Sequence, residues 1–299
     1  MLRFGVAGWD YGDWEGVVYP DPHPRGFDRL EFLAAYLEAV EINVTFYRQP
    51  DAAACAGWAR RVTSHPDFRF TAKLFRGLTH HERDDPAALD DEAARYREGI
   101  RPLVDSGRLG AVLVQFPHRF HNDATAHAHL AHVARRLEGL PLVAEFRHRS
   151  WDHEEALRFL HGLGIGFCNI DQPPVGGTLR PTGHVTAKVA YIRLHGRNAD
   201  HWFRGDGPAH ARYDYLYSED ELRPWCERAL RLADRAEEVF VIANNHYRGK
   251  GPANALMLKA MASQSRVAAP AALVCTYRGL SAHARADERG RPAQGRLFE

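Results

Sequence analysis

The chain has 299 residues, 45% of them hydrophobic, and sets 39 lysines and arginines against 38 acidic residues for a net charge of +1. A chain of this size buries a full core and needs no disulfide staples, and its near-zero charge excludes a strong field drawing in nucleic acid from a distance. No apolar run approaches the ~20 residues of a membrane-spanning helix, so any contact with a polyanion is local and no membrane partner is expected.

Eight short β-branched or apolar runs end on polar or ionisable residues. In chain order they are residues 3–7, closing on Gly8 and Trp9; 39–42, carrying Glu41 and followed by Asn43; 68–72, closing on Lys73; and 111–114, closing on Gln115. Residues 142–144 close on Glu145 and Arg147, and 165–170 on Asp171; 189–194 carry Arg193 and end at His195, and 239–243 end at Asn244, Asn245 and His246. Stretches long enough for a helix separate most of these runs. Strand then helix, repeated, is the pattern of a TIM-type (β/α)8 barrel, an α/β fold of ~250 residues in one domain whose closing residues converge on a single rim. The barrel domain is predicted over residues 1–263, with a partly flexible C-terminal extension over 264–299.

Local signals support the helices. Asp28 precedes Leu30, Leu33, Tyr36 and Leu37 on one helical face; Asp85 before Pro86 reads as an N-cap with proline at the first helical position; Ser218 and Glu221 form a capping box. Residues 172–187 depart from the pattern, because paired prolines, Gly176-Gly177 and Pro181 predict a loop in place of the helix after the sixth strand. Residues 197–217 are also irregular and carry Trp202, Phe203, Tyr213, Tyr215 and Tyr217, suited to a lid, a substrate wall or a loop packing its own aromatics.

Cys55, Cys168, Cys226 and Cys275 contain no C-x-x-C pair, so free thiols in a reducing cytosol are expected. The first residues enter a strand with no basic segment and apolar core before it, which predicts a soluble cytoplasmic protein. There the sequon Asn43-Val44-Thr45 meets no glycosylation machinery. Lysine occurs only at 73, 188, 250 and 259, a scarcity consistent with a coding bias toward arginine.

A resemblance follows from longer motifs. Gly5-Val6-Ala7-Gly8-Trp9, Trp14, Tyr19-Pro20, Glu41-Ile42-Asn43-Val44-Thr45-Phe46-Tyr47, Trp58, Phe68-Arg69-Phe70, Lys73 and Thr79-His80 recur in order with Gln115-Phe116-Pro117, Glu145-Phe146-Arg147, Ser150-Trp151, Arg193-Leu194-His195-Gly196, Asn244-Asn245-His246-Tyr247 and Asn254-Ala255. Together, over roughly residues 3–262, they resemble the YecE-like family, labelled domain of unknown function 72. The resemblance implies a TIM-type barrel and no established reaction. Ala7 stands where the family often has serine or threonine, and Ala243 where an aromatic often precedes the asparagines.

Function is argued from the rim. Glu145, Lys73, Arg193, His195 and Arg147 are the candidate catalytic group: carboxylates kept ionised by cations act as bases, and a histidine donates a proton near neutral pH. Lys73 offers a second chemistry, a Schiff base with a carbonyl substrate, if burial lowers its pKa, but this reading ranks lower because an ion-paired lysine stays protonated. Glu41, Asp171 and His246 are the candidate ligands of a divalent Mn, Mg or Zn ion, although no H-E-x-x-H or H-x-H pair supports them. The structural alternative is that Glu41 pairs with Arg193 or Lys73, and Glu145 with Arg147 or Arg193.

Trp9, Asn43, Gln115, Asn244 and Asn245 are candidate substrate-binding residues, suited to orienting hydroxyl or phosphate oxygens. Arg248 and Lys250 lie in a basic, glycine-containing loop running into a helix after the eighth strand, where such barrels often bind phosphate, but the spacing is not that of a P-loop. At the end of the chain Gln294, Leu297 and Phe298 form a Q-x-x-L-F pattern resembling the short peptide that docks on the DNA sliding clamp.

These features support a phosphate-ester hydrolase or nuclease-like enzyme linked to DNA metabolism. The alternatives are a non-catalytic barrel binding a phosphorylated ligand or nucleotide, and a sugar isomerase or lyase.

Overall fold

The computed structural model describes residues 1–80, 86–202 and 211–287. The chain runs β1 (Leu2–Ala7), α1 (Arg29–Ala34), β2 (Ala39–Ile42), α2 (Val44–Tyr47), α3 (Ala52–Arg61), β3 (Arg69–Lys73), α4 (Pro86–Asp105) and β4 (Leu109–Gln115). It continues with α5 (Ala124–Arg136), β5 (Leu142–Glu145), α6 (Glu154–Gly162), β6 (Gly166–Asp171), β7 (Val189–Leu194), α7 (Ala199–Trp202), α8 (Glu219–Ala233), β8 (Glu238–Ala243) and α9 (Lys250–Ser263). Strands β1 to β8 form one closed parallel barrel, each paired with its sequence neighbour and β1 paired with β8 from Leu2 opposite Val239 to Val6 opposite Ala243. All eight expected strands are present, and β2 and β7 have the expected bounds.

Parallel strands covered by helices are buried on both faces, which is why they read as near-continuous apolar runs. In β4, residues 110–114 are all buried. Close strand packing also restricts side-chain size: a Cβ on Gly5 of β1 would lie 2.2 Å from the Ala39 carbonyl oxygen of β2.

The caps act where the sequence puts them. The Asp28 carboxylate accepts from the Leu30 and Glu31 amides at 2.8 and 3.0 Å, and Ser218 and Glu221 form a reciprocal capping box on α8. Pro86 opens α4, while Asp85 lies outside the described residues. Between β6 and β7 there is no helix. Side chains satisfy that loop instead: Gln172 donates to the Arg147 and Leu179 carbonyls, and Asn169 donates to the His184 carbonyl and accepts from Thr182 and the His184 amide.

Beyond α9, strands β9 (Val267–Pro270) and β10 (Ala284–Asp287) pair in parallel around α10 (Ala271–Thr276). Leu273, Leu280, Ala269 and Ala284 join the main core, so the arginine-rich stretch expected to be mobile is folded through Asp287. Leu280 and Ala284 supply the apolar anchors that its charge obscures. Among the described residues the four cysteines are unpaired, and no helix is long and apolar enough to cross a membrane.

Candidate functional site at the barrel mouth

Residues two apart on a strand face the same way, so Tyr191 and Arg193 of β7 share one side, as do Thr71 and Lys73 of β3. Their side chains meet those of β2, β4 and β5 near the C-terminal ends of the strands. Arg193 is the centre. Its Nε and Nη2 hold the two Glu41 oxygens at 3.0 and 2.6 Å, and its Nη1 donates to Glu145 Oε2 at 3.0 Å and to Gln115 Oε1 at 3.4 Å. Tyr191 donates to Glu41 Oε2 at 2.9 Å, with the Thr71 hydroxyl 2.8 Å from the phenol oxygen. Glu145 Oε1 in turn lies 2.6 Å from Arg147 Nη2 and 3.4 Å from His195 Nε2.

Electrostatics follows from this geometry. Burial alone would raise the pKa of Glu145, but Arg147 and Arg193 hold its carboxyl well below the usual range. Burial also opposes the charge on Arg193, yet Glu41 and Glu145 keep it firmly protonated. His195 is pushed down to about 3 by burial and then by Arg147, so it is neutral. The Asn244 amide nitrogen donates to His195 Nδ1 at 2.9 Å, which leaves the ring proton on Nε2, facing Glu145.

Lys73 differs from every other cation of the cluster. It is 8% exposed, its Nζ stands 4.3 Å from the centroid of the Phe46 ring, and no carboxylate of the described residues forms an ion pair with it. Burial and the nearby Arg193 charge push its pKa down to about 7. Ion pairing of Lys73 with Glu41, one of the structural alternatives, is therefore absent because Arg193 occupies both Glu41 oxygens.

Two cavities open beside this cluster. One of about 270 Å³ is lined by Gln115, Phe116, Pro117, His118, Arg147, Trp202, Arg212 and Tyr213. The other, about 390 Å³, includes Trp9, Tyr11, Asn43, Arg48, Trp58 and Arg61, with the Trp9 and Trp58 rings edge to face at 5.6 Å. The fold thus brings together Glu41, Lys73, Gln115, Glu145, Arg147, Arg193, His195 and Asn244, with Trp9 and Asn43 in the adjoining cavity.

Other predicted site residues are committed elsewhere. Asp171 accepts from Arg197 Nε at 3.0 Å and from Trp225 Nε1 of α8 at 3.1 Å, and the His246 ring stacks on Tyr11 at 4.4 Å. Glu41 holds Arg193, so Glu41, Asp171 and His246 do not assemble as ligands. Among the described residues no three such side chains gather to hold a metal ion, and this donor set does not fit Mn, Mg or Zn. Asn245, fully buried, donates to the Tyr215 carbonyl and to Asn254 Oδ1, fastening the loop before α8 to α9. In the β8 loop Lys250 is paired with Asp214, and the Arg248 amide donates to Asp13 Oδ2 at 2.6 Å, so acids already face the expected phosphate loop. Gln294, Leu297 and Phe298 lie outside the described residues, as does Phe203.

Tyr191, Thr71, Phe46, His118 and Arg212 were not legible as site residues. The two-residue spacing of Tyr191 from Arg193 puts both on one face of β7, a signal of direction that a reading of strand ends alone passes over.

The family described as "Protein of unknown function DUF72" matches residues 3–274. The chain is 28% identical over 265 residues to UPF0759 protein YunF of Bacillus subtilis, spanning 85% of this chain and 92% of that relative. It is similar to the crystal structure of a DUF72 family protein from Thermotoga maritima, with 35% identity, a TM-score of 0.77 and coverage of 88% of this chain and 99% of the other. A DUF72 family protein from Enterococcus faecalis is similar at 25% identity and a TM-score of 0.76, over 88% and 96% of the two chains.

Proposed function

The chain belongs to the DUF72 family, and from that premise we propose that its barrel is a lyase or isomerase whose Lys73 amine attacks the carbonyl carbon of a small sugar-like substrate. The observation that supports this reading is the placement of Nζ. It is buried at the mouth over Phe46, away from any carboxylate partner among the described residues, where an amine is held for reaction instead of an ion pair.

In the first step the neutral amine adds to the carbonyl carbon, and a proton passes from nitrogen to oxygen to give a carbinolamine. The hydroxyl takes up a proton from solvent and leaves as water, and the nitrogen lone pair closes the C=N bond of an iminium. The iminium accepts the electron pair of a neighbouring C–H bond, whose proton passes to water, or of a C–C bond, whose other fragment leaves as a carbonyl compound after giving up its hydroxyl proton to water. The enamine so formed is reprotonated on carbon from solvent, and water then adds to the iminium, releasing the product and restoring the amine. Gln115 and Asn244 stand nearby to orient substrate hydroxyls. Fixed Arg193 and Arg147 stabilise negative charge developing on oxygen.

Phosphate-ester hydrolysis ranks below this reading. Its base, Glu145, is made weak by two arginines, and its proton donor, His195, is neutral at physiological pH. A purely binding barrel gives no reason to bury an unpaired lysine.

Borohydride trapping tests the reading. Incubation with glyceraldehyde and sodium cyanoborohydride is expected to add one adduct, mapped by peptide mass spectrometry to Lys73, and to fail in Lys73→Met. Labelling rises with an inflection near pH 7, where the amine loses its proton, not near the 10.5 of an ordinary lysine. Equal labelling of Lys73→Met, or adducts confined to Lys188, Lys250 and Lys259, would overturn the assignment.

A further inference from the structure

We infer that the cavity between the loop after β1 and the α2–α3 segment, walled by Trp9, Tyr11, Asn43, Arg48 and Trp58, is a carbohydrate subsite that takes a pyranose ring. It stands apart from the Lys73 reading, since none of its supporting contacts involves that amine.

Three observations carry the inference. The first is that the wall is built and held. Gly8 leaves β1 in the left-handed region at φ +78°, and a Cβ there would lie 2.6 Å from the Tyr11 hydroxyl oxygen, so the turn favours glycine on both counts. That turn sets Trp9 against Trp58 of α3, and the Tyr19 hydroxyl donates to the Trp9 carbonyl and fixes the chain there. Tyr11 is fixed as well: its hydroxyl donates to the Ala7 carbonyl at 2.8 Å, and its ring stacks on His246.

The second observation is shape. Trp9 and Trp58 are only partly buried, and their rings meet at 83°, which makes a corner instead of a parallel slot. A flat base is gripped best between parallel rings. A chair-shaped sugar sets its C–H face on one indole and its rim against the other. The volume of about 390 Å³ falls within the roughly 300–1,000 Å³ of small-molecule sites, where aromatic walls with a few polar groups are usual.

The third is the polar complement. Asp10 in the lining is paired with Arg29, and Arg61 with both Asp28 oxygens at 2.6 and 2.8 Å. Arg48 is exposed, and its guanidinium has no partner among the described residues. The Asn43 side chain makes no helix-cap bond and faces the Tyr11 hydroxyl. An amide donates and accepts while a guanidinium donates to neighbouring oxygens, a combination that suits adjacent hydroxyls on a ring.

The test titrates the full chain with methyl glucoside, methyl galactoside and methyl mannoside, closed rings with no carbonyl for Lys73 to attack. Saturation-transfer NMR is expected to mark the ring C–H protons of at least one of them, with quenching of tryptophan fluorescence. Trp58→Ala is expected to weaken binding about tenfold and Trp58→Phe to retain most of it, as the loss and retention of a stacking face require. Arg48→Met, an exposed substitution that spares the core, is expected to weaken binding severalfold, so a misfolded Trp58→Ala does not decide the matter. Absence of transfer to all three pyranosides overturns the subsite, and so does transfer that survives both Trp58→Ala and Arg48→Met. Trp58-dependent binding of adenosine with the pyranosides excluded overturns it in favour of a nucleoside. Aldehyde trapping at Lys73 is read separately, so the failure of either reading leaves the other standing.

Discussion

Glu145 receives two arginines and a histidine on its two oxygens, so its negative charge is the counterweight of the site. Glu145→Gln strands Arg147 and Arg193 with one compensating charge fewer, and removing one partner of a buried ion pair costs about 3–5 kcal/mol. A thermal melt of the variant is expected to fall accordingly, even before chemistry is measured. Lys73 acts on stability in the opposite sense. Because its folded pKa of about 7 lies below the 10.5 of the free side chain, the unfolded chain binds more protons between those values and stability rises with pH across that window. Melting temperature is expected to climb from pH 7 to pH 9 relative to Lys73→Met, which lacks the titration; parallel curves for the two proteins would remove the burial argument. At this scale the sequence was informative about charge and poor about direction. Glu41, Glu145, Arg193 and Lys73 were readable as strand-end ionisable residues, but Asp171 was also one and turns to α8, because a single residue of register flips a side chain to the other face. Tyr191 and Thr71 sat inside runs that read as apolar β filling, and nothing local marked their hydroxyls as part of the network.

Elements show the same division between local and long-range information. Punctuation announced the missing helix after β6 and the caps at Asp28 and Ser218, since proline, glycine and capping side chains act on their own backbone. Tight contacts between elements gave no such sign. Gly57 in α3 and Gly99 in α4 look alike in sequence, both being glycines inside helices. A Cβ on Gly57 meets only Arg60 at 3.9 Å, whereas a Cβ on Gly99 would lie 2.0 Å from the Pro50 carbonyl oxygen. Gly57→Ala is thus expected to stabilise by about 0.5–1 kcal/mol, the helical preference of alanine. Gly99→Ala should destabilise, because the α4 backbone must move away from the loop before α3. Urea unfolding of the two variants checks this, and equal midpoints would contradict the packing described.

Over the whole molecule, the barrel was the most legible feature, since eight repeats of one pattern reinforce each other and the ring closes through β1 and β8. The extension was the least legible, because its few apolar anchors are scattered among arginines. Ending the chain at residue 263 removes Leu273, Leu280 and Ala284 from the core and is expected to lower the melting temperature sharply or abolish soluble expression. Circular dichroism follows the melt. A 263-residue form melting like the intact protein would show that β9, α10 and β10 are dispensable. The centre of the ring carries one more consequence. Arg193 reaches from β7 to acceptors on β2, β4 and β5, which makes a single guanidinium the tie rod of the mouth. Diversification of such a scaffold, by selection or in the laboratory, is thereby steered outward: new specificities arise by exchanging the surrounding loops, while the tie rod stays in place.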